Sequence, residues 1–314
     1  MAAAAVGVKV MGGVAGMDAA LHDAAGATAG DRPVRPSVLV FAGLDPSGGA
    51  GLAADITAIS ALGAHALPVI TVLTAQDNDR VHKVEAVDAQ WLRRQAGVLI
   101  AKMPVAAIKI GIIGSLANAM ALVELITQLR QTQPDLPVVL DPVLASGHGD
   151  ALAQEDPLSI IAPLLRLASV ILPNRLEAAR LAAHLQAMGI KPAGGIAPAD
   201  GGAENPLREQ AARLLNAGCG AVMLKGGHAD GAQVENICFT AKGEQRWQWP
   251  RMAGAFHGSG CTLASSLAAA LALNLPDPYT QAQTYTQAAL ANAYSAAPGQ
   301  SMPARVARWE QEKR

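Results

Sequence analysis

Short runs of Val, Ile and Leu recur along this chain, and longer segments with helical character separate several of them. The runs cover residues 37–42, 67–73, 106–113, 137–140, 169–172 and 221–224. Their polarity alternates poorly, which is typical of strands that helices cover on both faces. The pattern therefore predicts an α/β fold with a doubly wound, mainly parallel sheet and helices on both of its faces.

Three further features modify this plan. Residues 233–240 and 244–250 flank a short Lys-Gly turn and predict a small antiparallel hairpin at the sheet edge. Residues 77–87 alternate only weakly and are interpreted as a small flap. Residues 191–206 are rich in Gly, Ala and Pro and predict a surface loop.

The chain of 314 residues is interpreted as one large domain. Residues 1–36 are rich in Ala and Gly and end in a polar break bracketed by prolines, so we expect a disordered extension. The domain itself is predicted over residues 37–300. Residues 301–314 are expected to form a polar C-terminal tail.

Charge and composition exclude several classes of protein. The net charge is −1 and no basic block occurs, which argues against a nucleic-acid partner and favours a small molecule. Since no stretch approaches the roughly 18 to 20 apolar residues of a membrane span, no membrane association is expected. The three cysteines, Cys219, Cys238 and Cys261, form neither a CxxC motif nor a metal-ligand cluster, which favours a reduced, cytoplasmic setting.

The most informative segment is the glycine-rich stretch 254–263, which leads into an Ala- and Leu-rich helix. Gly258 and Gly260 would let the backbone around Ser259 turn its N–H groups toward one point, where the positive end of the helix favours an anion. Cys261 would lie in the first helical turn, where a lowered thiol pKa would let it accept a proton. The alternative is that the glycines only cap a helix and Cys261 packs as a small apolar residue.

A second glycine-rich segment, residues 42–51, follows the first predicted strand. In α/β proteins the carboxyl ends of the strands bind ligands, so Gly43 and Asp45 are candidates for the floor of a pocket. The segment matches neither the GxGxxG nor the Walker spacing, which disfavours a dinucleotide site or a P-loop. A plain glycine-rich turn is the alternative.

Polar side chains also occur at or near the ends of the later strands. Any one of them could be a helix cap or a surface charge, but together they indicate one crevice at a common edge of the sheet. Within this group, Asp141 and Glu177 could hold Mg²⁺, directly or through water. The group comprises Gln76, Lys109, Asp141, Asn174, Glu177 and Lys225.

Several of these segments together resemble the hydroxymethylpyrimidine and phosphomethylpyrimidine kinases of thiamine biosynthesis, a family of the ribokinase-like superfamily. The likeness spans about residues 37–297. Its most specific parts are AGLDPSGGAGLAAD at 42–55, ITVLTAQ at 70–76, KIG at 109–111, PNRLEA at 173–178, LKGGH at 224–228 and HGSGCTLASSLAAAL at 257–271.

The resemblance implies a role for each matched position. Cys261 would be the catalytic group, with Gly258, Ser259 and Gly260 around the phosphoryl group. Gln76 would bind the pyrimidine, and Asp45 would be a second contact. The remaining assignments are Gly43 and Lys109 on the substrate side, Asn174, Lys225 and Gly226 on the nucleotide side, and Asp141 and Glu177 at the metal.

The activity implied is ATP-dependent phosphorylation of 4-amino-5-hydroxymethyl-2-methylpyrimidine, followed by phosphorylation of its monophosphate. ATP and Mg²⁺ are the implied cofactors, a monovalent cation is left open, and a homodimer is expected. A pyridoxal or pyridoxine kinase is one alternative, because that branch also uses cysteine. A pyrimidine-binding regulator without activity is the other.

Two stretches depart from the family pattern, and the first of them bears on substrate tuning. Residues 77–80, Asp-Asn-Asp-Arg, stand where the family usually has Asn-Thr-x-Gly. Residues 141–150, DPVLASGHGD, lack a lysine that is often found there. One phosphate contact would then be lost or supplied by another part of the chain.

Overall fold

A nine-stranded sheet organises the part of the chain that the computed structural model describes, residues 33–192, 206–227 and 231–306. The strands are β1 Ser37–Leu44, β2 His65–Gln76, β3 Val81–Ala86, β4 Val105–Ile110, β5 Val138–Leu140, β6 Val170–Ile171, β7 Ala221–Leu224, β8 Gln233–Thr240 and β9 Gly243–Pro250. Their order across the sheet is β3-β2-β1-β4-β5-β6-β7-β8-β9. The predicted extension and the predicted loop at 191–206 lie largely outside the described residues.

The central six strands run parallel, and the edges are antiparallel. Strand β3 pairs with β2, and the hairpin β8–β9 closes the other edge through β7. The structure confirms the predicted doubly wound, mainly parallel sheet and its edge hairpin. The weakly alternating flap is an edge strand, β3, because its backbone completes hydrogen bonds that β2 would otherwise leave open.

Helices cover both faces of this sheet. They are α1 Gly51–Ala61, α2 Ala89–Ile100, α3 Leu116–Thr132, α4 Pro157–Ile161, α5 Arg175–Ala187, α6 Pro206–Asn216, α7 Ser259–Ala272 and α8 Pro278–Ala291, with a short 3₁₀ helix at Ala162–Leu167. In the described parts of the chain, no helix is long and apolar enough to cross a membrane.

Strand β1 shows how two cores form around one sheet. Leu39 and Phe41 point into the core shared with α2 to α6, whereas Val38 and Val40 point into the core shared with α1, α7 and α8. Successive side chains of a strand face opposite sides, so a strand with no polar face must be covered twice. This packing fixes the start of α1 and the start of α7 on the same side of the sheet.

The chain reverses its direction of winding beside β1, because β2 lies on one side of this strand and β4 on the other. At such a switch point the loops that follow the two inner strands separate and leave a crevice at their carboxyl ends. The fold therefore predicts a ligand site between the loop after β1 and the end of β4.

The domain extends beyond the boundary predicted at residue 300. Ser301 bridges to Phe256, and Met302 bridges to Tyr294 and is buried. Arg305 is also buried, with 7% of its surface exposed. Residues 301–305, which were expected to begin a polar tail, therefore belong to the packed structure, because their polar groups form hydrogen bonds inside the fold.

Candidate active site

A cleft of about 990 Å³ opens at the carboxyl ends of the strands, at the switch point beside β1. Nearly all of the predicted site residues line it, although they are spread over more than 200 positions of the sequence. Those that line it are Gly43, Asp45, Gln76, Lys109, Asp141, Asn174, Glu177, Lys225, Gly258, Ser259, Gly260 and Cys261. Gly226 lies next to the lining and is the exception.

Two helix N-termini meet in this cleft. Gly258 caps α7 with φ of 74°, in the left-handed region, and an added Cβ would lie 2.1 Å from the Gly49 carbonyl oxygen. Only glycine permits that conformation and that close approach. The Gly51 N–H at the start of α1 lies near the Cys261 thiol in the first turn of α7 and acts to lower its pKa. The positive ends of both helices therefore face the same region of the cleft.

The structure corrects the expected lowering of the Cys261 pKa. Burial raises the pKa of this thiol, and the nearby Asp55 and Asp141 carboxylates raise it further. The Lys109 ammonium and the Gly51 N–H act in the opposite direction but do not outweigh burial. The helix dipole argument omitted the cost of removing a thiolate from water, and that cost dominates here.

Lys109 stands beside this thiol in a fully buried ion pair. Its Nζ lies 2.9 and 2.8 Å from the two carboxylate oxygens of Asp55, and neither side chain is exposed. Burial lowers the pKa of Lys109, but the charge and hydrogen bonding of Asp55, together with Cys261 and Asp141, raise it by more, so the amine is protonated. Ser265 also donates to Asp55. The predicted contact of Lys109 with substrate stays a prediction, and its observed partner is Asp55.

Asp45 organises the loop after β1. Its carboxylate accepts hydrogen bonds from the backbone N–H groups of Ser47 and Ala50, at 2.8 and 2.7 Å, and contacts His257 Nε2 at 2.8 Å. The Gln76 amide lies close enough to help lower the pKa of Asp45. Burial raises the pKa of Asp45, but these hydrogen bonds outweigh burial and leave the pKa below its usual value.

These contacts use the acceptor capacity of the Asp45 carboxylate, about four lone-pair sites in total. Its predicted second contact with a pyrimidine stays a prediction, and the geometry shows that it holds the loop. Gln76 lies beside this carboxylate in the cleft, and its amide can both donate and accept hydrogen bonds.

A second charged cluster joins the ends of β5, β6 and β7. Lys225 Nζ lies 2.6 Å from Asp141 Oδ1, and both side chains are largely buried. Both charges also act on Glu177: Lys225 lowers the pKa of its carboxyl group, and Asp141 raises it. Burial lowers the pKa of Lys225, but Asp141 and Glu177 raise it by more.

Asn174 and Glu177 form a capping box at the start of α5. The Asn174 side chain accepts the Glu177 N–H at 2.9 Å, and Glu177 Oε2 accepts the Asn174 N–H at 2.7 Å. The box satisfies backbone groups that the first helical turn leaves open. Burial raises the pKa of Glu177 even though the Lys225 charge opposes this.

Asp141 and Glu177 supply the oxygen donors that Mg²⁺ prefers. A magnesium ion commonly keeps one or two carboxylates and completes its shell with water and phosphate oxygens. In the described residues no cluster of three or more His, Cys, Asp or Glu could hold a metal by itself. Two buried carboxylates in the same cleft as the Gly258–Cys261 turn fit an ion that arrives with a nucleotide.

Gly226 lies next to Lys225, one of the residues predicted to bind the nucleotide, but does not line the cleft. Its N–H donates to the Asn236 side chain at 2.9 Å, and an added Cβ would lie 2.0 Å from the Glu235 carbonyl oxygen. Asn236 in turn donates to Gln283. The structure therefore shows a packing reason for glycine here, and its predicted contact with nucleotide stays a prediction.

The two stretches that depart from the family pattern meet at the rim of the cleft. Arg80 donates to both oxygens of Asp150, and His148 contacts Asp79 at 3.0 Å. The Asn78 amide donates to carbonyl oxygens in the segment 298–300. Arg80 and Asp79 of the first stretch thus contact Asp150 and His148 of the second.

Sequence reasoning missed three residues that shape the site. Asp55 and His257 lie in quoted motifs, so their positions gave a signal, but neither was assigned a role. Arg305 gave no signal because it lies in the expected tail. It donates to Thr262 Oγ1 and to the Gly49 carbonyl oxygen at 2.8 and 2.6 Å.

Known proteins match most of this chain in sequence. The family model described as phosphomethylpyrimidine kinase matches residues 45–303. A hydroxymethylpyrimidine/phosphomethylpyrimidine kinase of Escherichia coli (strain K12) is 36% identical over 265 residues, which cover 82% of this chain and 92% of the relative. A protein of the same name from Streptomyces coelicolor is 36% identical over 249 residues, which cover 78% of this chain and 84% of the relative.

Solved structures agree in fold. A phosphomethylpyrimidine kinase from Clostridium difficile superposes with a TM-score of 0.62 and 28% identity, over 82% of this chain and 98% of that one. A pyridoxal kinase from Staphylococcus aureus, in complex with AMP-PCP and pyridoxal, gives a TM-score of 0.70 at 21% identity, over 87% and 94%. The second likeness concerns the fold alone.

Proposed function

Because the chain belongs to the phosphomethylpyrimidine kinase family, we propose that it transfers the γ-phosphoryl group of ATP to 4-amino-5-hydroxymethyl-2-methylpyrimidine and then to the resulting monophosphate. The observation that supports this most is the shared cleft of Gln76 and Cys261. A group that recognises a pyrimidine and a group that serves its hydroxyl must face the same cavity. Here they do so with two helix N-termini beside them.

Recognition of the pyrimidine rests on the orientation of Gln76. It lies beside the Asp45 carboxylate, which can only accept, so we expect its NH₂ group to face Asp45 and its amide oxygen to accept from the exocyclic amino group of the substrate. The second N–H of the amide can donate to the adjacent ring nitrogen. This pairing selects an N–C–NH₂ edge and disfavours a ring that lacks the amino group.

Transfer then depends on position and on electrostatic stabilisation, as in other phosphoryl transfers. The substrate oxygen bonds to the γ-phosphorus while the bond from that phosphorus to the bridging oxygen of ADP breaks. The N–H groups at Ser259, Gly260 and Cys261 face the charge that spreads over the phosphoryl oxygens. The Cys261 thiolate takes the proton of the hydroxyl, and the Lys109 cation beside it favours the thiolate.

Asp141 and Glu177 would hold Mg²⁺, which neutralises phosphate charge when it is bound. Lys225 balances Asp141 and lies within reach of the Gly260 backbone, since a Cβ added there would be 3.3 Å from its Nζ. Asn174 keeps Glu177 in place through the capping box. In this proposal, Asp141, Glu177 and Lys225 serve the metal and the phosphates, and Gln76 serves the pyrimidine within the same cleft.

An ADP-coupled assay against three substrates tests the proposal. We expect turnover with the hydroxymethylpyrimidine and with its monophosphate, and much less with pyridoxal. Preference for pyridoxal would identify the alternative kinase activity. Binding of the pyrimidine without ADP formation in the presence of Mg²⁺ would identify a regulator.

We also propose a cytoplasmic enzyme that forms a homodimer. The three cysteines are all unpaired, which suits a reducing compartment. The dimer is an expectation from the family. Light scattering of the purified protein gives its mass directly, and a monomer at micromolar concentration would contradict it.

A further inference from the structure

The chain after residue 300 returns to the active-site cleft. Ser301 pairs with the segment before the Gly258 turn: its carbonyl accepts the His257 N–H at 2.9 Å, and its own N–H donates to the Ala255 carbonyl at 2.9 Å. Three residues later, the Ala304 N–H donates to the Ala289 carbonyl in α8 at 2.9 Å. These bonds bring Arg305 to the base of the cleft.

The Arg305 guanidinium bridges the two loops that form the ends of the helices. Its Nη2 donates to the Gly49 carbonyl at 2.6 Å and lies 3.3 and 3.4 Å from the His257 and Gly258 carbonyls. Its Nε donates to Thr262 Oγ1 at 2.8 Å. One planar cation thus contacts the loop before α1 and the turn before α7.

Fixing a carbonyl oxygen also fixes the N–H group of the same peptide. A trans peptide is planar, so its C=O and N–H point in opposite directions. The peptide between Gly49 and Ala50 is held at both ends, because Arg305 binds its oxygen and Asp45 accepts its N–H at 2.7 Å. The same geometry applies to the Gly258 peptide, whose N–H belongs to Ser259.

Burial makes this contact specific to arginine. Arg305 is 7% exposed, and its fork of donors reaches three carbonyls and one hydroxyl. A lysine would keep the charge but would offer a single nitrogen without the planar fork. Thr262 completes the arrangement because its hydroxyl also donates to the Gly258 carbonyl at 2.9 Å.

We propose that Arg305 is a positioning residue for phosphoryl transfer, which sets the spacing of the Gly49–Gly51 loop and the Gly258–Cys261 turn so that both helix N-termini face the transferred group. This role rests on the proposed function of that turn. Arg305 itself does not line the cleft, so it acts through the backbone and touches neither substrate.

The test compares Arg305→Lys with Arg213→Lys in the full-length protein. Arg213 is a matched control, because it is also buried and donates to a carbonyl, that of Ile190, but lies far from the cleft in α6. We expect Arg305→Lys to lower kcat about 10- to 100-fold, the scale of a small misplacement, with KM for pyrimidine and ATP changed by less than about threefold. Arg213→Lys should lower the melting temperature but leave kcat near that of the wild type.

Thr262→Val provides a second variant in case Arg305→Lys does not fold. It keeps the shape of the side chain and removes the hydroxyl that joins Arg305 to the turn. We expect the same kinetic pattern as for Arg305→Lys, a reduced kcat and an unchanged KM. A wild-type kcat in folded Arg305→Lys, or the same kcat loss in Arg213→Lys, would overturn the positioning role.

Cys261→Ala, measured in parallel, separates this inference from the function on which it rests. If Cys261→Ala keeps wild-type kcat, the proposed role of the turn fails, whatever Arg305 does. If Cys261→Ala is impaired while Arg305→Lys is not, only the role of Arg305 fails.

Discussion

Lys109 Nζ lies 2.8 Å from Asp55 Oδ2, and both side chains are completely buried directly beneath the cleft. Lys109 projects from β4 and Asp55 from α1, so the ion pair connects the sheet to the helix whose N-terminus faces Cys261. An isolated charge at such depth is very costly, so each partner requires the other. The positive charge of Lys109 therefore serves two purposes: it stabilises the fold through Asp55, and it lies beside the Cys261 thiol.

Removing one partner should be much more damaging than removing an exposed charge. We expect Lys109→Met to lower the free energy of unfolding by about 3–5 kcal/mol, because Asp55 would keep a buried charge without its cation. Urea denaturation measures this loss. Arg93→Met is the control: it breaks the exposed pair with Glu124, and it should cost less than about 1 kcal/mol. A loss at Lys109 as small as that at Arg93 would contradict the assignment.

Cys261→Ala should reduce turnover without reducing affinity. The thiolate accepts a proton only during transfer, and general-base assistance is typically worth about 10²–10⁴ in rate. Calorimetric titration with the pyrimidine should give a dissociation constant close to that of the wild type. A large loss of affinity would show that the thiol belongs to substrate binding.

The rate should also rise with pH on the alkaline side. The pKa of Cys261 lies above its usual value because of burial, so the thiol is mostly protonated in the resting enzyme at neutral pH. A base with a raised pKa becomes available only as pH increases. We expect kcat/KM to increase with pH in wild type and this increase to be absent in Cys261→Ala. Equal profiles for the two proteins would assign the titration to another group.

The same thiol can be followed by alkylation. Burial raises the pKa of Cys219 to about 12 and that of Cys238 to about 11, and both side chains are inaccessible. Cys261 lines the cleft and should react first, with a rate that grows with pH. Mass spectrometry of the modified peptide identifies the site, and bound pyrimidine should protect it.

The sequence predicted the strands and the helices next to the site well, since they depend on local pattern. The edge hairpin was found at or within one residue of the predicted positions, and Cys261 lies in the first turn of α7 as predicted. The segments that carry Gln76 and Cys261 could be assigned to one crevice because parallel strands end at one edge of a sheet. Periodicity and topology were sufficient for this part of the structure.

The predictions that failed concerned features that depend on burial or on contacts between residues far apart in the sequence. Arg305 bonds to Gly49, 256 positions earlier, and no local pattern reports such a pair. The pKa of Cys261 was expected to fall because only the helix was considered, whereas its buried surroundings raise it. The hydrogen bonds that the Asp45 carboxylate accepts from the loop backbone likewise could not be predicted, because they form only in the folded loop.

Gln76 should determine affinity and selectivity for the ring. Gln76→Leu keeps the approximate size but removes both the donor and the acceptor, and we expect KM for the pyrimidine to rise by about 10-fold or more, since a ring left without its hydrogen bonds loses roughly 1–3 kcal/mol. The KM for ATP should stay constant and serves as the internal control. An equal rise in both values would indicate a disturbed loop and not a lost contact.

Asp45 should make the fold sensitive to acid. Its pKa is lower in the folded protein than in the unfolded chain, because His257, Ser47, Ala50 and Gln76 hold the carboxylate charged. A lowered pKa stabilises the fold above the unfolded value of about 3.9, and that stability disappears as pH falls through the folded value. The difference in unfolding free energy between wild type and Asp45→Asn should therefore be largest near neutral pH and shrink steadily below about pH 4. Asp135→Asn, at an exposed position, should show a small difference at every pH. If the Asp45 difference stays constant down to the acid limit, the carboxylate does not hold the loop through its charge.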